Sequence, residues 1–79
     1  MEAYVMMNAE PAKLWQVADE VLKIEGVKMA HAVTGPFDVI AYVQFAKIEA
    51  LGKIIQEIQS LPGVRGTQTL MAIPRTIRE

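Results

Sequence analysis

The sequence contains no cysteine and a single histidine, His31. That removes disulfide scaffolds and cysteine-ligated zinc modules, which need paired or clustered thiols. It also leaves any metal site short of the three or four converging ligands it requires, because Asp19, Glu20, Glu49 and Glu57 fall on helix-surface positions. Charged residues are only 22% of the chain, eight Lys and Arg against nine Asp and Glu, for a formal net charge of −1. Without a basic excess there is no surface of the kind that releases counterions from phosphates, so direct nucleic-acid binding is not expected. No apolar run approaches the ~20 residues of a membrane helix, and Glu2 stands where a secretory leader would carry positive charge. These absences predict a cytoplasmic protein with no membrane partner. A phosphate loop with its Lys is missing as well, and no cofactor or metal is expected.

What is present is apolar material. Seventy-nine residues make one domain, residues 1–79. A monomer of that size buries only ~60% of the surface its unfolded chain exposes. Yet 52% of the chain is hydrophobic, which excludes disorder and exceeds what two short layers hide by themselves.

The chain divides by period. Ala3–Met7 has strand length, and Asn8-Ala9-Glu10-Pro11 is a helix entry with Pro near the first helical position. Leu14, Val17, Ala18, Val21 and Ile24 then recur at helical spacing until Gly26 stops the helix in a left-handed cap. Val27–Thr34 reads as a strand with Val27, Met29, His31 and Val33 on one face. Gly35-Pro36 marks a turn, and Val39–Phe45 completes a hairpin. A second helix over about Lys47–Ser60 carries Ile48, Leu51, Ile55 and Ile58 on one stripe, Pro62-Gly63 ends it, and Val64–Ile73 is the last strand. Only Arg75–Glu79 reads as a tail.

The order β-α-β-β-α-β is the split βαβ pattern of an α+β, ferredoxin-like fold: a four-stranded antiparallel sheet with both helices on one face. The other face should read polar if it met water, but Tyr4, Met6, Ile40 and Tyr42 fall on it. Together they exceed the apolar patch a soluble monomer ordinarily shows, and a second copy packed sheet against sheet is the simplest cover.

Two features carry chemistry. His31 is either a general base in a dimeric α/β-barrel enzyme or an ordinary hydrogen-bonded strand histidine. In the enzyme reading, a cavity is needed between sheet and helices, and Met29, Val33 and Phe45 are expected to fill it. The turn Thr34-Gly35-Pro36-Phe37-Asp38 offers turn N–H groups for a carboxylate and a fixed negative charge for an ammonium group. Thr67-Gln68-Thr69 adds hydroxyls and an amide within an otherwise apolar strand. The plain alternative is that Asp38 caps the turn and the threonines are favoured strand residues. A third reading is a structural or partner-binding module with no small ligand.

The segments Val33-Thr34-Gly35-Pro36-Phe37-Asp38-Val39-Ile40-Ala41 and Leu61-Pro62-Gly63-Val64-Arg65-Gly66-Thr67-Gln68-Thr69 resemble the C-terminal effector (RAM) domain of Lrp/AsnC transcription regulators. The resemblance runs from Ala3 to Ile73. It implies a non-enzymatic, amino-acid-binding module that dimerises through its sheets, often into rings of eight, with ligand held between dimers. By motif match the ligand-binding residues are Gly35, Phe37 and Asp38 on the turn and Thr67 and Thr69 opposite. Pro36 departs from the usual polar residue and removes an N–H that would meet a ligand carboxylate. Because the sequence starts at the first strand, the resemblance further implies a stand-alone effector domain without the helix-turn-helix part. Such a module either senses an amino acid or co-assembles with full-length Lrp/AsnC regulators.

Overall fold

A computed structural model describes residues 1–74; the tail expected at Arg75–Glu79 lies outside the described residues. The elements are β1 (Glu2–Ala9), a 3-10 turn (Pro11–Lys13) running into α1 (Leu14–Leu22), β2 (Val27–Ala32), β3 (Val39–Gln44), α2 (Ile48–Gln59) and β4 (Val64–Met71). The β-α-β-β-α-β order is the expected one. The strands form one antiparallel sheet in the order β2-β3-β1-β4. The two strands richest in apolar residues, β1 and β3, are central, each flanked on both sides.

One face of the sheet meets the helices. Ala3, Val5, Met7 and Ala9 of β1 and Val39, Ala41 and Val43 of β3 are buried there against Val17, Ala18 and Val21 of α1 and Leu51, Ile54 and Ile58 of α2. The strict alternation along β1 and β3 is the period-2 signature of a strand with one covered face. Each helix-to-strand joint holds a left-handed glycine, Gly26 at φ +98 and Gly63 at φ +94. Gly26 does not cap its helix as expected, since α1 and α2 close on Lys23 and Ser60 in right-handed conformation. Both are closely packed: a Cβ on Gly26 would stand 2.8 Å from Ile54 Cδ1, and one on Gly63 3.0 Å from Lys13 Cβ. Glycine is needed at these joints for backbone angle and for room at once.

Two strand details depart from the sequence reading. The register of β2 slips between Val27 and Met29, which pair with the adjacent residues Val43 and Tyr42. Lys28 is the extra residue of a bulge, so Val27 turns into the core while Met29 and His31 keep the opposite face. The expected single face of Val27, Met29, His31 and Val33 is therefore split. In α2 the buried stripe is Leu51, Ile54 and Ile58 with Ile55 half-buried, and Ile48 at the first turn is 53% exposed. The last strand ends at Met71 rather than Ile73, while β1 runs to Ala9 rather than Met7.

Candidate functional site

The turn between β2 and β3 is fastened to the end of β1. Val33 N donates to Asp38 O at 2.8 Å, closing the loop, and Asp38 N donates to Met7 O at 2.9 Å. Two side chains complete the attachment. Asn8 Nδ2 donates to Pro36 O at 3.0 Å, and Ala9 N donates to Asp38 Oδ2 at 2.8 Å. Asp38 therefore receives the N–H of the last residue of β1, rather than capping its own turn. Gly35 sits at φ +126 with nothing within 4 Å of where a Cβ would stand, so its role is conformational and the space above it is open. Phe37 and Asp38 are half-buried.

Beside Asp38 lies an open depression of about 530 Å3 lined by Asn8, Ala9, Pro11, Leu14, Asp38 and Arg65. Thr67 and Thr69 are not among its walls. They pair with Met7 and Val5 and so turn toward the helices on the edge strand β4, where Thr67 Oγ1 accepts a hydrogen bond from Gln59 Nε2 at 3.0 Å. β1 lies between β3 and β4, and it separates Asp38 from the threonines. Within one protomer the expected ligand residues thus form two groups: Gly35, Phe37 and Asp38 on the turn, and Thr67 with Thr69 on the far side of β1. Asn8 and Arg65 are the polar groups that sequence reasoning left unassigned. No signal within β4 alone marks Arg65, since the bulge that frees it exists only where β4 pairs with β1.

His31 is exposed on the edge strand β2, opposite Ile40, and faces away from the helices. Met29 and Val33, at 47% and 38% exposure, do not fill the space between sheet and helices, whereas Phe45 is buried in the core as expected. That space is packed by Val5, Met7, Val17, Val21, Val39, Val43 and Ile58, all fully buried. The uncovered sheet face has apolar residues on every strand, Met29, Ile40, Tyr42, Tyr4, Met6 and Leu70, with His31 and Gln68 among them. Tyr4 and Tyr42 are cross-strand partners with ring centroids 5.4 Å apart at 46°, within the range of favourable aromatic pairs.

The sequence matches the Lrp/AsnC ligand binding domain over residues 2–79. The chain belongs to that family. Among curated relatives, the HTH-type transcriptional regulator FL11 of Pyrococcus abyssi is 27% identical over 73 residues, covering 92% of this chain and 48% of the regulator. The chain spans about half the length of the curated relatives it matches. Among solved structures, TTHA0845 from Thermus thermophilus superimposes with a TM-score of 0.90 at 28% identity, covering 98% of both chains. The transcriptional regulator NMB0573 of Neisseria meningitidis, solved as its L-Met complex, gives a TM-score of 0.81 at 20% identity over 98% of this chain and 52% of that one. At that identity the likeness concerns the fold alone. An Lrp/AsnC ligand-binding regulatory domain with the ferredoxin-like architecture is thus what the sequence reading anticipated. Among the described residues, no helix is long and apolar enough to cross a membrane.

Proposed function

We propose that this Lrp/AsnC domain is a non-enzymatic amino-acid sensor whose ligand site is built on the turn holding Gly35, Phe37 and Asp38. The observation that carries the reading is the fastening of that turn to the end of β1 beside an open depression. Asp38 Oδ2 is committed to Ala9 N, and that bond fixes the carboxylate as a negative charge at the depression's wall. Pre-positioned charge of this kind recognises an α-ammonium group without an ordering cost at binding. Thr67 and Thr69, on the far side of β1, would reach such a ligand from another copy of the chain.

Assembly is the second part of the proposal. The uncovered face with Tyr4, Met6, Ile40, Tyr42 and Leu70 suits a homodimer packed sheet to sheet, and dimers associating further would bring turns and threonines of different copies together. A ligand held between copies then biases assembly, because it favours whichever state it contacts better. The output would be a change in how the assembly engages full-length Lrp/AsnC regulators.

The test is a thermal-shift screen against the free L-amino acids at millimolar concentration. A ligand at a hundredfold excess over Kd stabilises the native form by about 2.7 kcal/mol, and a domain of this size gains about 4–8 °C per kcal/mol. A selective rise of several degrees with one or a few amino acids is the expected result. A flat response across the set would remove the sensor reading and favour a partner-binding module.

A further inference from the structure

We infer that Arg65 is the carboxylate-recognising residue of this domain, so that Arg65 and Asp38 of a single protomer grip the two charged ends of one zwitterionic amino acid. The inference rests on the amino-acid-sensor reading and adds a residue that the turn-and-threonine description leaves out.

Arg65 owes its place to a fault in the β1–β4 ladder. Asn8 pairs with Gly66 and Ala9 with Val64, so the adjacent residues of β1 face residues of β4 that are two apart. Arg65 is the unmatched residue of that bulge, and bulges characteristically re-aim a side chain that regular pleating would fix. Val64 keeps its packing against the core, Gly66 adds no side chain, and Arg65 joins Asn8, Ala9, Pro11, Leu14 and Asp38 around the depression.

The end of β1 therefore has a carboxylate on its β3 side and a guanidinium on its β4 side. The two do not neutralise each other: among the described residues the ion pair formed is Lys23 with Glu20, at 3.4 Å. Strands lie about 4.8 Å apart, so groups rooted on β3 and β4 are about two strand spacings apart. That gap accommodates one small dipolar molecule with charge-assisted hydrogen bonds of about 2.8 Å at each end. Leu14 and Pro11 give the depression an apolar wall.

The turn itself supplies a complementary argument. Pro36 has no N–H, and the Asp38 N–H is spent on Met7 O, so the turn is poorer in donors for an anion than its position suggests. A guanidinium, planar and permanently charged, replaces those donors with a bidentate fork.

The experiment is calorimetric titration of the purified protein and its R65Q and R65K variants. The probes are every free L-amino acid that gives a thermal shift, each paired with its carboxamide, which keeps the ammonium group and lacks the carboxylate. Wild type should prefer the acid to the amide, R65Q should weaken the acid by about 10- to 100-fold and erase that preference, and R65K should fall between. Circular dichroism and melting temperature should match wild type, since Arg65 is exposed. Undiminished acid binding by R65Q, with the acid-over-amide preference intact, overturns the role of Arg65 and leaves the sensor reading standing. Failure of every amino acid to bind wild type overturns both.

Discussion

Asp38 has two separable properties, and two substitutions distinguish them. Its Oδ2 accepts the Ala9 N–H in a partly buried hydrogen bond. Asp38→Ala removes that acceptor and leaves the donor unmatched, which costs about 1–3 kcal/mol and should lower the melting temperature by several degrees. Asp38→Asn keeps an oxygen for Ala9 N and discards only the charge. The asparagine variant should melt within about 2 °C of wild type, since the acceptor survives and surface charge changes are worth little, yet lose amino-acid binding. Equal loss of stability in both variants would mean that charge, not the hydrogen bond, holds the turn. The turn beside Asp38 was legible in the sequence, because Gly35-Pro36 is local turn chemistry. The sequence was silent on Ala9 as the partner, since that contact joins residues 29 apart and depends on where β1 ends. Arg65 stayed invisible for a related reason: a bulge is a property of two strands paired, and neither strand announces it alone.

At the scale of elements, the two helix-to-strand joints show how much a short motif can encode. Ile24-Glu25-Gly26-Val27 and Leu61-Pro62-Gly63-Val64 read as equivalent connectors, and both glycines are in left-handed conformations against the core. Gly26→Ala places a Cβ at φ +98, 2.8 Å from Ile54 Cδ1 and 3.2 Å from Gln44 O. The backbone term alone costs roughly 1–2 kcal/mol, and the overlap adds to it. Chemical denaturation should register a loss of about 2–3 kcal/mol with an unchanged m-value. Gly35→Ala is the control: its φ is also positive, but its Cβ would meet nothing within 4 Å, so the strain term stands alone and the loss should be clearly smaller. Helix positions and the order of elements along the chain were legible because apolar residues recur at 3.6 and 2.0. The face of β2 was not, because Lys28, the second residue of the strand, breaks the period and every residue after it changes sides relative to Val27. The exposure of Ile48 has a similar origin, since a stripe counted from the helix start assumes a first turn that packs on the sheet.

For the whole molecule, the decisive asymmetry is between a sheet face sealed by helices and one that nothing among the described residues covers. Tyr4, Met6, Ile40 and Tyr42 were identifiable from alternation alone, and the register places them side by side on β1 and β3. Ile40→Glu puts an unpaired charge in the middle of that patch while leaving the helix-facing core untouched. If two copies meet there, sedimentation at micromolar concentration should show wild type at twice the protomer mass or more and the variant shifted toward the monomer, because a buried unpaired charge costs several kcal/mol. An unchanged mass in the variant would move the interface elsewhere. The edges of the sheet bear on the same question. β2 and β4 are the outer strands, and each is interrupted by one extra residue, Lys28 in one and Arg65 in the other. An open edge is a template for further strands, and a bulge that carries a cation spoils that template by bending the edge and by demanding solvent. The domain is thereby guarded against lengthening its sheet into a ribbon of copies. Were copies to meet face upon face, strand addition at the edges would not compete with that pairing.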